Sequence, residues 1–200
     1  MKNELAIFDF DNTITNRDTF IDFLIYFAGI KAFVWGIIKC SKDLILYKLK
    51  LLSNQKAKES LLTYFFGGLS LDKVKKIGDE YSEKRLPLIL NPKAIKKIKY
   101  HQDKKDKLVI VSASPMYWFH SWAQLAGFQH IICTELEIID NILTGQIKDN
   151  NCYGIEKVNK LRKILNLKEF DYIYAYGDSR GDMEILELAN ESYLKFKLIK

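Results

Sequence analysis

The sequence predicts an α/β protein, a doubly wound parallel sheet with an all-helical insertion after its first strand. Three observations carry this. Apolar runs at 5–8, 108–111 and 172–176 are each long enough for a strand buried on both faces. Each ends in a cluster of small polar or acidic residues. After residue 92, strand-like and helix-like stretches alternate, as in stacked βα units.

The elements follow in order. The first strand ends in Asp9-Phe10-Asp11-Asn12-Thr13. Residues 16–88 then change character. Residues 18–38 are rich in Phe, Ile, Leu, Trp and Ala, and 42–52 and 56–66 continue with helical spacing. Ser70 is placed to cap a helix over 71–84, with Asp72 in its first turn facing the positive helix end. Pro87 and Asn91-Pro92 mark the exit. A helix is expected at 92–102, a strand at 107–111, and a helix to about Ala126 with Ser114 as N-cap and Pro115 at its first position. Gly127 ends that helix. A strand at 130–133, a hairpin turning near Asn141, a helix at 154–165, a strand at 172–176, a helix at 182–189 and a last strand at 193–196 complete the chain. Gly29, Gly36, Gly67 and Gly68 are candidate flexible points of the insertion.

The chemistry-bearing residues stand at strand ends, where an open parallel sheet binds ligands. Asp9 and Asp11 are two carboxylates two residues apart. Unpaired charge there is costly, and a hard divalent cation such as Mg²⁺ suits it. A calcium loop starting at Asp9 is excluded, because its sixth position is Ile14 instead of Gly and its twelfth is Phe20 instead of Glu. Ser112 follows the second apolar run, and a small hydroxyl beside exposed helix N–H groups suits a phosphate; simple capping by Ser112 and Ser114 is the plainer alternative. Lys157 sits early in a helix, against the macrodipole, so an anionic ligand would explain it. On its own, a solvated lysine explains it equally. Gly177-Asp178-Ser179-Arg180-Gly181-Asp182 delivers two more carboxylates to the same sheet edge.

Taken as an ordered set, Asp9-x-Asp11-x-Thr13, Ser112, Lys157 and Gly177-Asp178-Ser179-x-x-Asp182 resemble the haloacid dehalogenase-like (HAD) phosphohydrolases. A helical insertion directly after the first motif is similar to the C1 cap of that superfamily. Cys152-x-Gly154-x-x-Lys157 is similar to the branch that includes phosphoserine phosphatase. The resemblance implies a Rossmann-like core formed by residues 1–15 and 89–200, with a cap at 16–88. It also implies phosphoryl transfer through an aspartyl-phosphate on Asp9, with Asp11 as acid and then base. Mg²⁺ would be held by Asp9, Asp11 (through its main-chain carbonyl) and Asp178. Thr13, Ser112 and Lys157 would serve the phosphoryl group, supported by Ser179 and Asp182. The dehalogenases of the superfamily lack an acid at the position of Asp11, so carbon–halogen chemistry is not expected, whereas phosphomutases keep it.

The substrate must be read from the cap. Asp18 stands where phosphoserine phosphatases carry a Glu that meets the substrate amine, and their cap Arg has no counterpart near Leu62; Lys56 and Lys58 are the nearest cations. Over residues 31–58 the cap carries Lys31, Lys39, Lys42, Lys48, Lys50, Lys56 and Lys58 against Asp43 among many apolar residues. This is similar to bacterial HAD-type phosphatidylglycerophosphatases, which share the Asp18-x-Phe20 pair and Ser114-Pro115. Two readings of the cap stand: ordinary packing of its apolar face, or a basic amphipathic surface lying on anionic lipid. Asp22 and Lys31 interrupt the apolar run and argue against a spanning helix.

The net charge of +6 points to anionic partners, here phosphorylated small molecules or lipids. Nucleic acid is not expected, for want of paired Cys/His ligands or an aromatic RNA-binding strand. Cys40, Cys133 and Cys152 form neither a metal pattern nor a disulfide framework. With the first strand starting near Glu4, they suggest a reducing cytoplasm, or the inner membrane face if the cap is lipid-facing. His101, His120 and His130 are isolated and are given no ligand role; Trp118 and Trp122, four residues apart, read as core.

Overall fold

The computed structural model describes residues 3–200. Strand β1 (Glu4–Phe8) is buried along its whole length. The chain then turns through Phe10–Ile14, with Asn12 in the left-handed region at φ 57°, a conformation asparagine tolerates. It leaves the sheet at Thr15 and returns at Leu90, and the two crossings are paired. Asn16 N–H donates to the Ile89 carbonyl at 2.8 Å, and Asn91 N–H to that of Ile14 at 2.8 Å.

Between the crossings lie α1 (Thr19–Ala28), α2 (Ile30–Lys39), α3 (Ser41–Lys48), α4 (Asn54–Phe66) and α5 (Leu71–Lys84). Asp18, Ser53 and Ser70 cap α1, α4 and α5, each accepting from the backbone N–H three residues on. Their inner faces bring Phe20, Phe23, Leu24, Leu62, Phe66 and Val74 into one apolar cluster. Trp118, from the sheet side, stacks on Phe23 at 4.8 Å. Asp22 accepts from Arg85 Nε (2.9 Å) and Nη2 (2.8 Å) and from the Tyr81 hydroxyl (2.9 Å), closing α1 onto α5. Gly36 is a contact point, not a flexible one: a Cβ there would lie 2.4 Å from the Phe65 ring, so glycine lets α2 close on α4.

The second half runs α6 (Pro92–Lys104), β2 (Lys107–Ser112), α7 (His120–Leu125), β3 (His130–Cys133), β4 (Leu136–Ile139), β5 (Ile142–Ile147), α8 (Ile155–Ile164), β6 (Tyr172–Gly177), α9 (Met183–Leu188), β7 (Glu191–Leu194) and β8 (Lys197–Leu198). The main sheet has the order β3-β2-β1-β6-β7-β8, parallel except for β8. Both faces are covered, and the pleat of β1 shows why its run is continuously apolar. Ala6 and Phe8 join the cluster that includes α6, α7 and the helical insertion, while Leu5 and Ile7 join the one that includes α8 and α9. β2 and β6 flank β1, so the crossovers leave it in opposite directions and open a crevice at its carboxyl end.

Two segments differ from expectation. The continuous helix expected after Ser114 is a short 3₁₀ turn at Met116–Trp118 followed by α7. Ser114 does not cap it, because its hydroxyl is turned to Asp11 instead. The last strand is a hairpin: β7 turns at Lys195 and Phe196, both at positive φ (52° and 60°), and β8 returns antiparallel. The β4–β5 hairpin stands outside the main sheet and pairs with the insertion at Ser70.

Candidate active site

The carboxyl ends of β1, β2 and β6 and the start of α8 converge on a cavity of about 220 Å³. Asp9, at the end of β1, is buried, and its main-chain N–H is fixed by the Tyr176 carbonyl at 2.9 Å. Lys157 enters from the third position of α8 and is buried as well. Its Nζ donates to Asp9 Oδ1 and to Asp182 Oδ1, both at 2.6 Å. A lysine near a helix N-terminus thus has two anions as its reason to be there. They outweigh burial and hold its ammonium charged.

Asp182 lies in the 3₁₀ turn at Arg180–Asp182. Its Oδ2 accepts from the backbone N–H groups of Asp178 (3.1 Å) and Ser179 (3.0 Å) and from the Ser179 hydroxyl (3.1 Å). Burial opposes its ionisation, but Lys157 and these donors prevail, and its carboxyl sits below the usual range. Asp182 therefore ties the Asp178 loop to Lys157. Gly177 permits this approach, since a Cβ there would meet Asp182 Cβ at 2.5 Å.

Asp11 is gripped from two sides. Its Oδ1 accepts from Thr19 N–H at 2.6 Å and the Thr19 hydroxyl at 2.5 Å. Its Oδ2 accepts from the Ser114 hydroxyl at 2.6 Å and the Ser112 hydroxyl at 3.4 Å. Trp118 Nε1–H in turn donates to the Thr19 hydroxyl at 2.9 Å. Side-chain hydrogen bonds to a carboxylate fix its orientation as well as its energy.

The remaining expected residues fall in different places. Asp178 and Asp18 line the cavity, as does Ser179. Ser112 is fully buried behind the wall, and of the two serines after β2 it is Ser114 that lines the cavity. Thr13 is buried beneath the turn and outside the lining, its hydroxyl without a hydrogen-bond partner among the described residues. Sequence reasoning assigned no site role to Thr19, Asn54 or Lys58. Lys58, from α4, donates to the Ala113 carbonyl at 3.0 Å and lies 5.4 Å from the centre of the Phe20 ring. Burial lowers its pKa, and Asp11 and Asp18 oppose that shift.

Asp9, Asp178 and Asp182 offer carboxylate oxygens within 4.8 Å of one another. Burial raises the Asp9 pKa well above the ordinary range despite Lys157. Burial and the neighbouring Asp182 push Asp178 up to about 6. Carboxylates crowded around a single lysine, all hard oxygen donors, fit a divalent cation of the Mg²⁺ type, which would supply the missing positive charge. Both Asp182 oxygens are already engaged and Lys157 takes Oδ1 of Asp9, which leaves Oδ2 of Asp9 and the Asp178 carboxylate to face a cation.

An open parallel sheet with paired carboxylates at the end of its first strand, a buried lysine and a third acidic loop defines a hydrolase of the haloacid dehalogenase type. The sequence matches the haloacid dehalogenase-like hydrolases over residues 6–187, and the chain belongs to that family. It is 31% identical to the protein CicA of Caulobacter vibrioides over 94% of this chain and 83% of that one. Among solved structures it is similar to a protein of unknown function from Bordetella pertussis Tohama I (TM-score 0.83, 23% identity, 97% of this chain and 90% of that chain). It also shares its fold with a phosphoserine phosphatase carrying a phospho-aspartyl intermediate analogue (TM-score 0.61, 21% identity, 97% and 87%). No single helix among the described residues is long and apolar enough to cross a membrane.

Proposed function

We propose that this protein is a Mg²⁺-dependent phosphomonoesterase working through an aspartyl-phosphate. The carrying observation is the Asp9–Lys157 contact of 2.6 Å at the end of β1, with Asp11 held separately two residues on. Asp9 attacks phosphorus, forming the Asp9 O–P bond as the bond from phosphorus to the leaving oxygen breaks. Lys157 balances the charge gathered on the phosphoryl oxygens. Asp11, oriented by Thr19 and Ser114, protonates the leaving oxygen and then takes a proton from the water that releases phosphate. Mg²⁺, held by Asp9, Asp178 and the main chain at Asp11, would neutralise charge between carboxylate and phosphate. The Ser112 hydroxyl accepts from Ser114 N–H at 3.0 Å and sets the turn that faces the phosphate, while the Thr13 carbonyl accepts from Asn91 Nδ2 at 3.2 Å and ties the turn after Asp9 to the return crossing.

In this reading residues 1–15 and 89–200 form the catalytic core and 16–88 the cap, and the paired crossings at Thr15 and Leu90 are the joint between them. The substrate assigned is the phosphomonoester of an amphiphile, such as phosphatidylglycerophosphate, which the apolar, lysine-rich outer cap favours. A second reading has its own observation. Asp18 and Lys58 both line the cavity from the cap side, a carboxylate and a cation that together fit a small zwitterionic phosphomonoester of the phosphoserine type. Phosphate release from a panel of lipid and small polar phosphomonoesters, with Mg²⁺ and with chelator, tests both. The proposal expects chelator-sensitive turnover with a lipid preference. Preference for phosphoserine would move the assignment to the second reading, and full turnover in chelator would overturn the metal dependence.

A further inference from the structure

Helices α2 and α3 carry exposed large apolar side chains more densely than the scattered ones elsewhere in the molecule. On α2 the inward stripe is Phe33, Gly36 and Ile37, followed by Cys40, yet the outward face also carries large apolar side chains, beside Lys31 and Lys39. Ile30 is 59% exposed, Val34 49%, Trp35 54% and Ile38 54%. No residue of α3 is buried, and Ile45, Leu49 and Leu51 continue the apolar surface toward α4. Exposed apolar side chains gathered on two consecutive helices mark an interaction site more often than singly scattered ones do.

The charges around the patch identify its occupant. Lys31, Lys39, Lys42, Lys48 and Lys50 are all exposed, against one half-buried acid, Asp43, over residues 30–52. Lys31 and Lys39 rise from the outward face of α2 itself, and the Lys39 ammonium lies 5.1 Å from the Trp35 ring centre. Long lysine stems can lie along an apolar surface while their heads reach phosphates. Apolar side chains interleaved with lysine and an exposed tryptophan are the composition of a helix lying in the interface of an anionic bilayer. No single helix is long and apolar enough to span among the described residues; α1 and α2 meet at a bend of 115°, and α1 buries Phe20, Phe23 and Leu24 in the protein core. The patch also borders the cavity: Asn54, which lines the site, donates to the hydroxyl of the exposed Tyr47 at 3.1 Å.

We propose that the α2–α3 face of the cap docks this protein on an anionic membrane surface, next to the Asn54 side of the catalytic cavity. Docking deepens the lipid-phosphate reading but does not depend on turnover. The test is sedimentation of the full chain with vesicles of phosphatidylcholine alone and of equimolar phosphatidylcholine and phosphatidylglycerol, at low and high salt. Binding is expected to the anionic vesicles only, released by salt, with a blue shift of tryptophan emission from Trp35. Trp35→Ser/Ile38→Ser removes binding and the shift, and Lys31→Gln/Lys42→Gln weakens binding about fivefold for each lysine. Both variants keep their turnover of a water-soluble phosphomonoester. Equal binding to neutral vesicles, binding unaffected by both variants, or a dimer formed through this face without vesicle binding would overturn the proposal. A protein that binds vesicles but hydrolyses no phosphomonoester would leave docking standing and remove the phosphatase reading.

Discussion

The floor of the catalytic cavity and the outer layer of the cap use polar and apolar groups in opposite ways. On the floor, Asp9, Lys157 and Asp182 are buried together and each is engaged within 2.6 Å. On the outer cap, Ile30, Trp35 and Leu51 stand more than half exposed among exposed lysines. Buried polar groups are costly unless paired, so the floor has one arrangement in which its carboxylates are satisfied. The exposed apolar groups contribute little to the fold, and their reason lies outside the molecule. Substitutions on the floor should therefore act on chemistry and stability, and those on the outer cap on neither.

The sharpest break is Asp9→Asn. Turnover is expected to fall by roughly 10⁴-fold or more, the scale seen when a nucleophile is removed, with the far-ultraviolet dichroism unchanged because Asn is isosteric. Lys157→Met comes next. It leaves Asp9 and Asp182 facing each other without their cation, and broken buried pairs cost about 3–5 kcal/mol; thermal unfolding should show the loss, with partial recovery on adding Mg²⁺. In the proposed mechanism Asp11→Asn removes the proton carrier, and turnover should fall about 10²–10⁴-fold. A substrate with a good leaving group, which needs no proton, should recover most of the first step.

The acidity of Asp178 gives a smaller effect. Its carboxyl is raised from 3.8 to about 6 by burial and by Asp182. Below that pH it carries a proton and is lost as a donor, so calorimetric Mg²⁺ affinity should fall by up to about tenfold per pH unit. Without metal the sign reverses. The folded state then binds that proton more tightly than the unfolded one, so this group adds stability as pH falls through about 6 toward 3.8. Trp35→Ser should have the smallest effect, shifting unfolding by less than about 0.5 kcal/mol as an exposed substitution does. A large loss would mean that the outer cap is core after all.

Much of this was legible in the sequence because each main station is built the same way. An apolar run buried on both faces can only be a central strand, and the polar residue ending it must lie at the sheet edge. That reasoning reaches Asp9, Asp11 and Asp178. It does not separate Ser112 from Ser114, two identical side chains two residues apart, because the bend between them decides which one meets the cavity. Thr19 reads as the opening of a helix, and only the turn after Asp9 folds it back onto Asp11, eight residues earlier. Lys58 belongs to no local pattern, since its place depends on how α4 settles over the sheet. The closing hairpin was hidden because Lys195 and Phe196 take left-handed backbone without the usual Asn or Gly signal. Gly36 looked flexible for want of its neighbour, the Phe65 ring.

The most direct test of the central claim is chemical trapping of the acyl phosphate. Enzyme quenched during turnover of a phosphomonoester with Mg²⁺ is treated with borohydride, which reduces an aspartyl-phosphate to homoserine, and its peptides are read by mass spectrometry. Homoserine is predicted at position 9 only, dependent on substrate and absent from Asp9→Asn. An unmodified Asp9 during steady turnover, or a phosphoryl group trapped on another residue, would contradict the account.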